Sequence, residues 1–331
     1  MTDIVERAHW IANTVLFPDA RGVDEKGVIP DSHFRVLASE GFYGLASPDA
    51  GLELDTIVAV IETLAGGCLA TTFTWIQHHA PVIGLANTTN TELKSKHLDE
   101  LAAGKRRSGV AFAGALATPP RLRATRTEGG WLFDGDAPFV SGWGIVDVIQ
   151  LSGNAGDAIV NVLVDAKGFD AREYELVSLQ ATATVRLKFE KVFVPDSNVV
   201  GEVPVAQFLA TQHVGARLNG ALPTGLALRC VRLLEELGRA ETAAAFAQQI
   251  TTIRTGLDAG LADPGTMFAA RAAASELAYR AAGAVVVAEG AAGVVVGGHG
   301  QRLVREALFT LVAGSRAPMK DALLDVLSAS G

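Results

Sequence analysis

The sequence predicts an α+β protein, with a helical N-terminal domain over residues 1–104, a middle antiparallel β domain over 105–200 and a C-terminal helical bundle over 201–331. Three observations predict it. Apolar residues recur at helical spacing near both ends of the chain. Between about Ser108 and Asn198 they fall into short alternating runs bounded by glycine, proline and aspartate. Beyond about Val203 the alanine- and leucine-rich stretches are too long for strands.

In the N-terminal region, Asp31 is placed to cap a helix over Ser32–Glu40, with Phe34 and Leu37 on one face and Gly41 as its stop. Further helices are expected over Leu52–Leu64 and over Glu92–Ala103, the last closed by Gly104. In the middle region the expected strands are Gly109–Ala113, Trp131–Phe133, Val146–Leu151, Ala158–Val164 and Val185–Phe193. Gly129-Gly130 and Asp134-Gly135 supply turns. Helices then cover Leu226–Leu237, Thr242–Leu257 and Met267–Glu289, with a loop at Ala262–Gly265. A β domain set between helical regions creates a cleft, and such junctions hold ligands.

The chain has 331 residues, 49% apolar and 19% charged, with a net charge of -8. That balance fits a folded protein, and the negative charge gives no general field for nucleic acid. Two cysteines, Cys68 and Cys230, are too few for a disulfide framework and read as reduced core residues. Asp3, Glu6 and Arg7 interrupt the first residues, so no signal peptide is expected. The most apolar stretch, Ala281–Val296, is broken by Glu289 and is shorter than the roughly 20 apolar residues of a membrane helix. A cytoplasmic location and no membrane partner are the expectation. Adjacent residues on a helix point about 100° apart. His78 and His79 are therefore poor joint ligands, and no metal is expected.

Five segments in order carry a resemblance to a known family: Phe34–Leu45, His97–Gly104, Gly130–Asp147, Phe189–Gly201 and Glu289–Ala307. They resemble, in turn, the first helix pair, the helix leading into the β domain, the flavin-contacting strand, the strand leaving that domain and the late glycine turn of the acyl-CoA dehydrogenases. The resemblance implies an oligomer that holds FAD beside an acyl-CoA thioester. It implies FAD contacts at Phe112, Ala113, Phe139, Val140 and Ser141, with the Ser141 hydroxyl near flavin N5, and at Gly290 and Gly293 across a subunit interface. Arg121, Arg123 and Arg126 follow the first strand and are placed to meet CoA phosphates, because arginine pairs with phosphate oxygens. Solvated arginines on a strand are the alternative.

The same resemblance exposes departures. Ala113-Gly114-Ala115-Leu116 and Ala117-Thr118-Pro119-Pro120 replace the family's threonine-bearing segment and its serine–aspartate turn. No Gln-Phe-Gly segment follows Arg239. Removing a proton α to a thioester needs a carboxylate, and the two positions where the family places it hold Gly314 and Ala216. Glu306 matches a structural acidic residue of the family and should face the bundle. Three readings follow. The chain is a flavin-dependent acyl-CoA dehydrogenase with its base elsewhere, or a non-catalytic subunit whose family partner supplies the base, or a flavin-free helical binding protein. The second resembles the smaller subunit of the heteromeric dehydrogenases of actinobacterial steroid side-chain degradation.

Overall fold

The computed structural model describes residues 3–314 and 317–328. Seven helices come first: α1 (Ile4–Ile11), α2 (Phe17–Lys26), α3 (Asp31–Ser39), α4 (Leu54–Ala65), α5 (Leu69–Ile76), α6 (His79–Asn87) and α7 (Thr91–Ala102). A single π-helical turn, Ala12–Leu16, joins α1 to α2. Their ends follow capping chemistry. The Asp3 carboxylate accepts from the Val5 N–H, the Asn90 side chain accepts from the Leu93 N–H, and Gly27 leaves α2 in the left-handed region at φ 62°.

Asp31 is a correction. It is the first residue of α3 and Pro30 occupies the cap position. Its carboxylate instead takes the Arg107 guanidinium at 2.6 Å, tying α3 to the entry of the β domain, and that hydrogen bond holds its carboxyl below the usual range. The His78–His79 pair, expected on one continuous helix, lies instead at the break between α5 and α6.

Eight strands follow: β1 (Ser108–Ala111), β2 (Leu122–Thr127), β3 (Gly130–Val140), β4 (Val148–Asn154), β5 (Ala158–Asp165), β6 (Asp170–Glu173), β7 (Val185–Pro195) and β8 (Val199–Pro204). The sheet order is β6-β7-β3-β2-β4-β5-β8, with β1 beside β4. Most neighbours are antiparallel, but β1 and β4 run parallel from Ser108↔Val148 to Ala111↔Leu151, and β2 touches β4 in the same sense. The domain is therefore mixed rather than purely antiparallel. The β2–β3 hairpin intervenes before the chain returns as β4, so β1 and β4 arrive in the same direction. Leu122, Ala124, Phe133, Ile149, Leu151, Val160, Leu187 and Phe189 fill its core.

The C-terminal bundle comprises α8 (Val205–Ala210), α9 (Gln212–Glu236), α10 (Ala240–Ala262), α11 (Met267–Glu289), α12 (His299–Val312) and α13 (Ala317–Ser328). The segment Met267–Val294 is long and apolar enough by composition to cross a membrane, a longer stretch than the sequence suggests. Here α11 packs against α9, α10, α12 and α13 and carries the buried Arg271.

The two helical regions share one core, because α4 lies directly on α9. Gly225 permits the contact: a Cβ there would stand 2.1 Å from the Glu62 carbonyl oxygen. The buried Glu62 carboxylate accepts from the Thr224 hydroxyl at 2.9 Å and from Arg254 Nε at 2.9 Å. Gly225→Ala should therefore force the helices apart and cost about 1–3 kcal/mol, the usual range for overpacking. Urea unfolding checks this, and an unchanged midpoint would mean that the contact has slack.

Candidate functional site

The site is built where β3 ends. Ala137 pairs with Leu187 and Val140 with Val185, so β3 spends three steps where β7 spends two. The extra residue is a bulge, which bends a strand and re-aims a side chain. Phe139 is the residue turned out. Its φ is 55°, the residue is 61% exposed, and its ring stacks on Tyr174 at 4.7 Å and 11°. Val140 then turns its side chain into the sheet core, leaving only its backbone at the turn. Ser141 follows, buried, with Gly142 at φ 86°.

A second irregular segment clamps this turn. Leu179 and Ala183 flank one 3-10 turn, Gln180–Thr182, and both are left-handed at φ 56° and 46°. The Gly142 N–H donates to the Thr182 carbonyl at 2.7 Å and the Trp143 N–H to that of Ala183 at 3.2 Å. The Tyr174 N–H donates to the Thr184 carbonyl at 3.1 Å, so the same segment also holds the ring under Phe139. Four non-glycine residues among those described have positive φ, and three of them meet here. Such conformations cost of order 1–3 kcal/mol each and persist where the surroundings impose them, often at ligand sites.

Side chains complete the cradle. Ser141 Oγ lies 2.7 Å from Thr184 Oγ1, which lies 2.8 Å from Thr182 Oγ1, and the Thr182 hydroxyl donates to the Leu179 carbonyl at 2.8 Å. Thr74 of α5 packs beneath Gly142. The buried hydroxyls of Thr74 and Ser178 have no hydrogen-bond partner, which fits a site completed by a polar ligand. Sequence reading missed Tyr174, Thr182 and Thr184. The Ala-Thr-Ala-Thr alternation at 181–184 was their only signal, and it looks like the start of a strand.

Other predicted residues divide. Phe112 and Ala113 follow β1, and a Cβ on Gly109 would lie 3.4 Å from the Ser141 carbonyl oxygen while one on Gly114 would meet Ala137. The end of β1 therefore runs beside the Phe139 bulge. The Phe112 ring leans on Phe208 at 5.1 Å, and Ala113 is exposed.

The three arginines do not form one patch. Arg121 pairs with Asp136 at 2.6 Å, and Arg126 forms a two-pronged pair with Asp196 while covering Trp131. Arg123 is exposed and makes no ion pair among the described residues. Gly290 and Gly293 lie in the turn after α11, which packs on α11 and α12 and is not brought to Phe139 within this chain. Gly293 is explained locally, since a Cβ there would meet the Val286 carbonyl oxygen at 2.8 Å.

Residues 2–105 match the family model described as acyl-CoA dehydrogenase, N-terminal domain. Benzylmalonyl-CoA dehydrogenase of Aromatoleum aromaticum is 25% identical over 230 residues, covering 63% of this chain and 60% of that protein. A glutaryl-CoA dehydrogenase from Mycobacterium smegmatis, solved in complex with FADH2, has a TM-score of 0.85 at 17% identity, covering 99% of this chain and 94% of the other. Butyryl-CoA dehydrogenase from Megasphaera elsdenii gives 0.83 at 18% identity, covering 99% and 97%. Residues 2–105 carry an acyl-CoA dehydrogenase N-terminal domain, and the chain as a whole has the acyl-CoA dehydrogenase fold. It spans between 54% and 61% of the length of the first curated relatives it matches.

The two positions where the family resemblance expects a base lie at the start of α9 and just after α12. Gly314 follows α12 at φ 69°, and a Cβ there would stand 3.7 Å from the Asn219 side chain of α9. Ala216, one turn earlier on α9, packs against the apolar cluster of Leu257, Met267 and Ala274. Neither position offers a carboxylate. Arg217 pairs with Asp258 at 2.6 Å. Glu306 is buried against Arg302 within the bundle, and burial pushes its carboxyl up.

Asn219, the side chain nearest a Cβ at Gly314, in turn holds a buried cation. Arg271 is fully buried and makes neutral hydrogen bonds, to Asn219 Oδ1 at 2.9 Å through Nε, to the Thr310 carbonyl at 3.2 Å and to Ser275. Burial lowers its pKa to about 10. Asn219→Ala should cost about 2–3 kcal/mol in chemical denaturation, because it removes hydrogen bonds to a charged, buried donor. A loss below 0.5 kcal/mol would show that water replaces the amide there.

The two histidines are structural. His78 Nδ1 accepts from the Ser108 N–H at 3.0 Å and its Nε2 donates to the Leu101 carbonyl at 3.1 Å, joining the α5–α6 break to β1 and α7. His79 is buried edge-on to Trp75 with neither ring nitrogen paired, and burial lowers its pKa to about 4. In the unfolded chain it titrates near 6.5. Above that pH both states are neutral. Below it the unfolded state binds the extra proton, so stability falls as pH drops from about 6.5 to about 4. Each unit costs about 1.4 kcal/mol for one such group. His79→Phe should flatten this limb, gaining about 3 kcal/mol at pH 4 relative to its effect at pH 7. Equal effects at both pH values would contradict the neutral, buried state.

Proposed function

We propose that this chain is a flavin-holding subunit for the α,β-dehydrogenation of an acyl-CoA thioester, acting in an assembly whose carboxylate base comes from another chain of the same superfamily. One contrast carries the reading. The Phe139–Ser141 turn and its clamp are fully built, while the two base positions hold Gly314 and Ala216. In this reading the exposed Phe139 ring walls one face of the FAD isoalloxazine, Ser141 sits at its N5 edge, and the backbone of Phe112, Ala113 and Val140 lines the approach. FAD, when bound, supplies the hydride acceptor.

This chain's own residues then orient and exclude water rather than remove the substrate proton. Arg123 is the arginine left to meet a CoA phosphate, since Asp136 and Asp196 engage Arg121 and Arg126. The turn with Gly290 and Gly293 presents Val294, Val295 and Val296 at 70%, 59% and 84% exposure, an apolar surface suited to cover by another subunit. That assembly is read as cytoplasmic.

The experiment is an absorption spectrum and a ferrocenium-linked assay on the chain purified alone and co-expressed with its genomic neighbour. Near-stoichiometric flavin in the complex, and turnover only there, is the expected result. Turnover by the chain alone would place a base within it. Flavin in neither sample would leave the flavin-free binding protein as the reading.

A further inference from the structure

The three hydroxyls behind the Phe139 turn form a row whose direction is set by where the Thr182 proton goes. A serine or threonine hydroxyl carries one proton to donate. The Thr182 proton is committed to the Leu179 carbonyl, which has none to give. The 2.8 Å contact between Thr182 and Thr184 must then use the Thr184 proton, and the 2.7 Å contact between Thr184 and Ser141 must use the Ser141 proton. All three side chains are buried, so water does not compete for them. The clamp between residues 142–143 and 182–183 holds the row in register.

We infer that Thr182 and Thr184 are positioning residues that turn the Ser141 proton inward, leaving Ser141 Oγ to face the site as an acceptor only. This rests on the flavin reading above and sharpens it. Oxidised flavin presents N5 as an acceptor, whereas reduced flavin presents an N5–H donor. An acceptor-only Ser141 matches the reduced form and leaves the oxidised N5 without a donor from this side chain. The turn is thus biased toward holding reduced flavin. Sequence motif alone suggests only a hydroxyl near N5. Direction comes from the two threonines behind it.

The test is the midpoint potential of the FAD-loaded protein, with its partner subunit if loading requires it. Thr184→Val frees the Ser141 proton to turn outward and should shift the reduced-to-oxidised affinity ratio about tenfold toward the oxidised form. For a two-electron couple that is a fall of about 30 mV. Thr184→Ser keeps the relay and should leave the potential at the wild-type value. In a Ser141→Ala background, Thr184→Val should have no further effect, which a merely structural role of Thr184 would not produce. An unchanged or raised potential in Thr184→Val, or an equal effect without Ser141, overturns the inference while bound flavin still upholds the functional reading. A neutron structure of the flavin-free chain tests the direction independently. The Ser141 deuteron should point at Thr184 Oγ1, and one pointing outward overturns the proposal whether or not flavin binds.

Discussion

The Gly142 N–H donates into the Thr182 carbonyl at 2.7 Å and the Trp143 N–H into that of Ala183, and these two bonds join a strand end to a loop some forty residues further along the chain. They hold Leu179 and Ala183 in left-handed backbone and give the Phe139 bulge a fixed floor. Without them the hydroxyl row from Ser141 to Thr182 has no register and Tyr174 has no reason to lie flat under Phe139. A strained conformation of a bulky residue persists only where its surroundings impose it. The helical regions provide that, since Thr74 of α5 supports Gly142 and Phe73 of the same helix packs edge-on to Phe309 of α12 at 4.8 Å.

Much of the fold was legible because it is written in periodicity. Met267–Glu289 has the bounds its alanine-rich pattern suggests, and the switch from helical to alternating spacing near Ser108 falls where β1 begins. Other elements were not legible. Leu122–Thr127 carries two arginines and two threonines and is not among the expected strands, yet it pairs fully with β3 because Leu122 and Ala124 point inward. Asp170–Glu173 has no apolar alternation and is a strand only through its pairing with β7. The parallel β1–β4 contact depends on how the chain returns after a hairpin, which no local pattern encodes.

The site was legible in the same uneven way. Phe139, Val140 and Ser141 could be found because they form one contiguous motif. Thr182, Thr184 and Tyr174 sit some forty residues away and join the site by folding, within a loop whose left-handed residues are leucine and alanine rather than glycine. The arginines illustrate the reverse failure. Arg121 and Arg126 look available in the sequence, but Asp136 of β3 and Asp196 in the turn after β7 reach them. The positions where the resemblance expects a base hold Ala216 and Gly314, and the structure adds their surroundings: apolar packing at Ala216, and at Gly314 the neutral amide that holds the buried Arg271.

The central proposal is that this chain holds flavin at the Phe139–Ser141 turn while another chain supplies the proton-abstracting carboxylate. A crystal structure of the flavin-loaded assembly with an acyl-CoA analogue tests it most directly. The account predicts the flavin ring against Phe139 with N5 beside Ser141 Oγ, and a carboxylate from a different chain nearest the α carbon of the analogue. A flavin bound away from that turn, or a carboxylate of this chain over the α carbon, would contradict it.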